Sequence, residues 1–141
     1  MINDNLILKG RLNIALNGKT VQEVDNLVVT VGKNFVASRM AAASAGVMSH
    51  MAIGSGTNNP AASDTTLQTE LGRVSLTSGA SSTNTVVYIA TFAAGTGTGA
   101  VTEAGTLNAS SGGTLLCRTE FSVVNKGSAD SMTITWTITV S

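Results

Sequence analysis

The glycine-rich stretch at residues 95–100 is the first feature of the chain whose spacing matches a known binding chemistry. It reads Gly-Thr-Gly-Thr-Gly-Ala and follows an alternating apolar segment, as in the first half of a dinucleotide-binding fingerprint. The second half requires a helix that begins in the glycine turn and points its N-terminal amides at a pyrophosphate. Residues 101–108 show no helical periodicity and contain Gly105. We therefore predict a flexible loop between two strands and no nucleotide cofactor.

The chain has one histidine and one cysteine, His50 and Cys117. His50 has no acidic or cysteine cluster near it in the sequence, so it does not predict a metal site. No G-x-S-x-G nucleophile elbow is present, although a Ser-His-Asp arrangement is geometric and stays open at this stage. Cys117 lies on the apolar parity of its segment without a basic neighbour there. We expect a strand-edge histidine, a buried and inert cysteine, and no catalytic residues.

Oxygen-bearing side chains at Asn58, Asn59 and Asp64 are of the types that bind Ca²⁺. Their spacing is not that of an EF-hand loop. We expect them to form turns, with Ser63 or Asp64 capping a short helical turn, and we expect no metal site.

Charge is scarce and balanced in this 141-residue chain: charged residues are 11% of it, with eight Lys plus Arg against eight Asp plus Glu. Clustered cations are what neutralise phosphates, so nucleic acid and anionic membrane are not expected partners. The longest apolar stretch, residues 35–53, is interrupted by Arg39 and His50 and does not predict a membrane span. One cysteine allows no internal disulfide, and the amino terminus lacks the features of a secretory signal. We expect a product made in the cytoplasm.

The elements that must position these residues are mostly strands. Residues 6–16 alternate imperfectly, Asn17 and Gly18 form a strong hairpin signal, and residues 20–31 are rich in β-branched side chains up to Gly32. We predict an N-terminal hairpin over residues 5–31. Helical spacing then predicts one helix over about residues 33–45, ended by Gly46.

Residues 48–141 are predicted to supply sandwich strands. Residues 86–92 alternate with both faces apolar, and Leu115, Cys117, Thr119, Phe121 and Val123 share one face of another strand. The segment at residues 132–141 alternates apolar side chains with Thr and Ser without a fault, which predicts a half-buried strand with Trp136 in the core. The pattern as a whole predicts a single domain over residues 1–141, mainly β, folded as an antiparallel, jelly-roll-like β-sandwich with one short α-helix.

Three blocks of sequence together resemble a family of small virion structural proteins of tailed bacteriophages. The first block is residues 26–40, NLVVTVGKNFVASRM. The second is residues 52–57, AIGSGT, continued by Pro60, residues 63–65, Leu67, Glu70 and Arg73. The third comprises residues 102–105, TEAG, residues 115–119, LLCRT, and residues 134–136, ITW. Members of this family are capsid decoration, or cement, proteins and modules of tail or head fibres.

The resemblance implies a β-sandwich subunit, usually trimeric, that attaches to the virion exterior and has no catalytic residues. We expect a structural protein of the virion that binds the major capsid protein on the outer surface of the shell, forms a homotrimer and stabilises the particle. A tail- or head-fibre module for host attachment is the alternative. A small hydrolase or a lectin is a third possibility, because sandwich folds host both.

The charged residues of the N-terminal hairpin are our candidates for contact with the capsid. They are Lys9, Arg11, Lys19, Glu23 and Asp25. They make up much of the charge of the chain, and a terminal hairpin can reach a neighbouring molecule without disturbing the core.

Overall fold

The computed structural model describes residues 5–41 and 46–141, which contain ten strands and one helix. In chain order they are β1 (Leu8–Leu16), β2 (Lys19–Asp25), β3 (Leu27–Val28), α1 (Thr30–Met40), β4 (His50–Gly54), β5 (Glu70–Ser75), β6 (Ser78–Ser82), β7 (Thr85–Phe92), β8 (Gly99–Leu107), β9 (Leu115–Lys126) and β10 (Met132–Val140).

The strands form two five-stranded antiparallel sheets. The front sheet has the order β2-β1-β10-β7-β6, and the back sheet has the order β3-β9-β8-β4-β5. Early strands pair with the last two, β1 with β10 and β3 with β9, while β6–β7 and β8–β9 are pairs of consecutive strands. The predicted antiparallel sandwich with a single short helix is confirmed for the described residues.

The main core lies between the sheets and follows from the period-two pattern of the strands. On β10, Met132, Ile134, Trp136 and Ile138 are buried, while the threonines between them face the other way. The front sheet adds Leu12, Ile14, Ala90 and Phe92, and the back sheet adds Met51, Ile53, Val101, Ala104, Leu116, Cys117, Phe121 and Val124. The predicted core positions of Trp136 and Cys117 are confirmed.

The back sheet is also covered on its outer face. A second apolar cluster there contains Val29, Ala52, Leu67, Leu107 and Leu115. Leu67 belongs to the long connection at residues 55–69, and Val29 directly precedes α1. Because both faces are covered, every residue of β8 from Val101 to Leu107 is buried.

The end of the predicted hairpin strand and the start of the predicted helix were wrong. β3 ends at Val28 and α1 begins at Thr30, so Thr30 and Val31 are helical despite their β-branched side chains. Tertiary contacts decide the boundary, because the Val29 N–H donates to the Leu116 carbonyl at 3.2 Å and the Thr30 N–H to that of Ala62 at 2.8 Å. Gly32 does not close a strand but lies buried in the helix, where a Cβ would collide with the Leu116 backbone.

The helix also ends earlier than predicted. Met40 is its last residue, and the N–H of Ala41 donates to the Ser38 carbonyl in the closing turn. The rest of the predicted helix, residues 42–45, lies outside the described residues.

The predicted face of β9 was wrong beyond Phe121. Val123 is 52% exposed while Val124 is buried, because the β8–β9 register shifts between Val101 and Glu103 and changes which parity faces inward. Arg118, predicted on the opposite face, is buried too, since that face is covered. The predicted faces of Leu115 and Leu116 were also wrong: Leu115 lies in the outer cluster and Leu116 in the main core, because the β8–β9 register shifts again between Thr106 and Leu107.

Candidate interaction surface

The outer face of the front sheet displays a row of threonines, which we call the Thr face. Thr133, Thr135, Thr137 and Thr139 occupy the outward parity of β10, the central strand of this sheet. The register places Asn13, Arg11 and Lys9 of β1 opposite Thr135, Thr137 and Thr139. On the other side, β7 places Thr91, Ile89, Val87 and Thr85 beside the same row.

Three of the charged side chains beside the Thr face, those of Arg11, Glu23 and Asp25, are paired with each other. Arg11 Nη1 lies 3.0 Å from Asp25 Oδ1, and Arg11 Nη2 lies 3.9 Å from Glu23 Oε2. The Asn13 amide donates to Glu23 Oε1 at 3.5 Å and accepts a bond from the Thr20 hydroxyl at 3.2 Å. Exposed pairs of this kind add about 0–1 kcal/mol to stability. Their main effect is to hold opposite charges in fixed positions on the surface.

These side chains line a shallow groove of about 480 Å³ along β1, β2 and β10. Four of the five predicted contact residues meet there, namely Lys9, Arg11, Glu23 and Asp25. Lys19 does not line the groove, because it is paired with Leu16 at the far end of the hairpin.

The far end of the hairpin is fixed by its turn. Asn17 and Gly18 have φ angles of 51° and 81°, as the predicted tight turn requires. The Asn17 side chain donates to Asp130 Oδ1 at 2.9 Å and accepts from the Ser131 N–H at 2.9 Å, which joins the turn to the β9–β10 connection. The bond from Asn17 is the largest of several effects that lower the pKa of the Asp130 carboxyl, followed by the Gly127 N–H and nearby Lys126.

The glycine motif and the cysteine lie where the sequence predicts. Residues 93–98 connect β7 to β8, and Gly99 begins a strand instead of a helix. Cys117 is fully buried, its Sγ lies 3.1 Å from the Thr106 hydroxyl, and burial raises its pKa to about 12. Neither arrangement presents a nucleotide site or a thiolate nucleophile.

His50 is half-buried at the first position of β4. Its Nδ1 lies 2.8 Å from the Ser49 hydroxyl and its Nε2 lies 3.4 Å from the Ser75 hydroxyl. The partner of Nδ1 is thus a hydroxyl, whereas in a Ser-His-Asp arrangement a carboxylate holds Nδ1. β4 is an inner strand of its sheet, so the histidine lies at a strand end and not on an edge strand.

A buried ion-pair cluster under residues 55–69 is the feature that the sequence analysis missed. Glu103 is fully buried and Arg118 is 2% exposed, and Arg118 Nε lies 3.1 Å from Glu103 Oε1. Arg118 Nη1 reaches Asp64 Oδ2 at 3.0 Å, and Nη2 donates to the Asn58 carbonyl at 3.1 Å. The Glu103 carboxylate also accepts three backbone N–H bonds, from Gly56, Gln68 and Thr69, at 2.6, 2.8 and 2.8 Å.

The cluster fastens both ends of the long connection to the outer face of the back sheet. Asp64 also accepts the Ala61 N–H at 2.9 Å within the turn at residues 61–64, so its predicted role in a turn is confirmed. The bond runs back to Ala61 and no helical turn follows Ser63 or Asp64, so the predicted helix cap was wrong. The cation beside Asp64 is the Arg118 guanidinium. Within residues 5–41 and 46–141, no group of three or more His, Cys, Asp or Glu side chains is placed to hold a metal ion.

A signal for this cluster is present in the sequence. Glu103 is the one charged residue of β8, and Arg118 directly follows the apolar residues 115–117 of β9, in a chain with few charges. A charged residue in a strand covered on both faces must be paired. What the sequence does not show is the pairing of β8 with β9 that brings the two together.

Comparisons with protein families, with curated proteins and with solved structures found no match for this chain. In the part of the chain that the structure describes, no helix is long and apolar enough to cross a membrane.

Proposed function

We propose that this chain is a structural protein of a phage virion, a capsid decoration protein that binds the outer surface of the shell through its Thr face and stabilises it. The observation that carries the proposal is the Thr face itself: a β-sheet surface of regularly spaced hydroxyls, bordered by the paired charges of Arg11, Glu23 and Asp25. Such a surface meets another protein by hydrogen bonds and charge complementarity.

Two features favour a protein partner over a nucleic acid or an anionic membrane. Cations and anions balance in the groove, where Lys9 and Arg11 face Glu23 and Asp25. The threonines contribute both donors and acceptors without adding charge. Each contact is weak, and repetition over the symmetry-related sites of a shell multiplies its effect.

The proposed assembly is a homotrimer. Leu6 and Ile7 are 73% and 47% exposed and border a groove that also includes Lys33. Met40 and Val47 are 82% and 61% exposed. Burying these apolar side chains between subunits favours self-association, and light scattering coupled to size exclusion should give about three times the chain mass of 14.2 kDa.

The test of the Thr face uses virions stripped of the protein. The unsubstituted protein should rebind and delay heat-triggered genome release, because a ligand of the intact shell stabilises it by mass action. Thr137→Lys places a second cation beside Arg11 and should weaken rebinding about tenfold or more. Ser111→Lys is the matched control on the exposed β8–β9 connection and should rebind normally.

The alternative function, a fibre module for host attachment, predicts a different outcome. Virions that lack the protein would then keep their heat resistance and lose adsorption to host cells. Earlier genome release with normal adsorption supports decoration, and normal rebinding of Thr137→Lys would contradict the role of the Thr face.

A further inference from the structure

The two sheets end in four edge strands, and three of these are obstructed. β2 bears the charged residues Lys19, Glu23 and Asp25, and the side chain of Gln22 reaches the Ser122 carbonyl of the other sheet. β3 has only two residues. β5 bears Glu70 and Arg73, and the backbone of Gly97 lies against Gly72. Charged side chains, a short strand and covering by another part of the chain are the usual means by which an edge strand avoids pairing with other chains.

β6 lacks all three of these protections. Its five residues read Ser-Gly-Ala-Ser-Ser, they are all exposed, and none is charged or proline. In the described part of the chain β6 pairs with β7 alone. One side of the strand is therefore open.

The hydrogen-bond pattern shows which backbone groups are open. The Ile89 carbonyl accepts the Thr77 N–H at 2.7 Å, so Ile89 directs its backbone groups toward β6. Because the pattern alternates along an antiparallel ladder, the residues of β6 that face β7 are Ser78, Ala80 and Ser82, the partners of Ile89, Val87 and Thr85. Gly79 and Ser81 direct their N–H and C=O groups away from the sheet.

We propose that the open edge of β6 accepts an extended segment of the shell protein as a sixth strand of the front sheet. This inference rests on the proposed function and names a second contact with the same partner. β6 borders the Thr face through β7, so a protein that covers that face also reaches this edge. Backbone hydrogen bonds from Gly79 and Ser81 would give the contact its affinity.

The side chains next to this edge indicate what the incoming strand carries. On the outward face β6 presents only Ser78, Ala80 and Ser82, while Val87 and Ile89 lie half-buried behind them. Large apolar or β-branched side chains at alternate positions of the incoming strand fit above the small residues and cover Val87 and Ile89.

A second copy of this chain is a weaker candidate for the edge. Stable interfaces use about 20–30 residues a side, and β6 offers five. A segment of the shell protein does not need to supply the whole affinity, because the shell is already bound through the Thr face.

The test compares Ser81→Pro with Ser81→Ala in binding to stripped shells of the phage that encodes this chain. Proline removes the outward N–H and places its ring on the open edge, a position where an edge strand tolerates it. Alanine keeps the N–H. Shell binding by Ser81→Pro should be about tenfold weaker or more, with binding by Ser81→Ala unchanged. Unfolding midpoints of the free proteins show whether both variants fold.

Amide hydrogen exchange of the unsubstituted protein gives a second readout that does not depend on the proline variant. Gly79 and Ser81 should exchange quickly in the free protein and become protected on shells. Equal binding by the two folded variants, or unchanged exchange at these amides on shells, overturns this inference and leaves the Thr face as the contact. Failure of the unsubstituted protein to bind shells overturns both proposals.

Discussion

Glu103 is the side chain on which most of the buried polar structure depends. It neutralises Arg118 and accepts the N–H groups of Gly56, Gln68 and Thr69. Glu103→Ala leaves the guanidinium with only part of its charge compensated and three backbone N–H donors unpaired, of which that of Gly56 is buried. We expect it to lower the free energy of unfolding by about 3–5 kcal/mol, measured by urea denaturation.

The matched control for Glu103 is an exposed ion pair of the same chemistry. Asp25 pairs with Arg11 at 3.0 Å, but its side chain is 82% exposed. Asp25→Ala should cost about 0–1 kcal/mol. Similar small losses in both variants would show that the Glu103 cluster adds little to stability.

Cys117 is expected to make the fold less stable as the pH becomes alkaline. Burial raises the pKa of its thiol from 9.0 to about 12, so the folded protein keeps the proton that the unfolded chain loses. The stabilisation is complete below about pH 9 and is lost as the pH rises toward 12. The slope approaches about 1.4 kcal/mol per pH unit within that window.

The comparison that isolates the thiol is Cys117→Ala, which keeps Tyr88. Burial is the larger cause of the raised Tyr88 pKa of about 12 in the unsubstituted protein, and the charge of Cys117 is the smaller one. Urea midpoints between pH 9 and 11 should fall more steeply for the unsubstituted protein than for the variant. Parallel pH profiles would exclude the thiol as the cause.

At the scale of elements, β10 has two faces with very different energetic roles. Trp136 is fully buried, and its indole N–H donates to Asn26 Oδ1 at 2.6 Å. Trp136→Ala should cost about 3–5 kcal/mol, because burial is lost and a cavity remains. Thr135→Ala on the Thr face should cost far less in thermal or urea unfolding. Equal and small losses would mean that the two faces of β10 are assigned the wrong way round.

Strands with large alternating side chains were predictable, and strands defined by their neighbours were not. β10 carries a faultless period-two pattern, and the β1–β2 hairpin combines an imperfect one with a strong tight-turn signal. β6 has no large side chain and is a strand because it pairs with β7, so the sequence analysis does not predict it. The start of α1 depends on the carbonyls of Leu116 and Ala62, which are distant in the sequence.

At the scale of the molecule, the sequence indicates which side chains of the hairpin lie together but not which charged residues meet in the buried cluster. Lys9, Arg11, Glu23 and Asp25 meet in one groove because neighbouring positions of a hairpin share a face, which follows from local pairing. The Arg118–Asp64 contact joins residues 54 positions apart. Only the packing of residues 55–69 on the back sheet brings these two side chains together.

The pairing of β1 with β10 determines when the front sheet can form during synthesis on the ribosome. β1 leaves the exit tunnel well before β10, because its nine register partners in β10 are translated more than a hundred residues later. Until then the β1–β2 hairpin lacks the strand that pairs with β1 in the front sheet. The nascent chain therefore has to avoid premature aggregation while the residues between β1 and β10 are translated, and the front sheet is complete only after β10 has emerged.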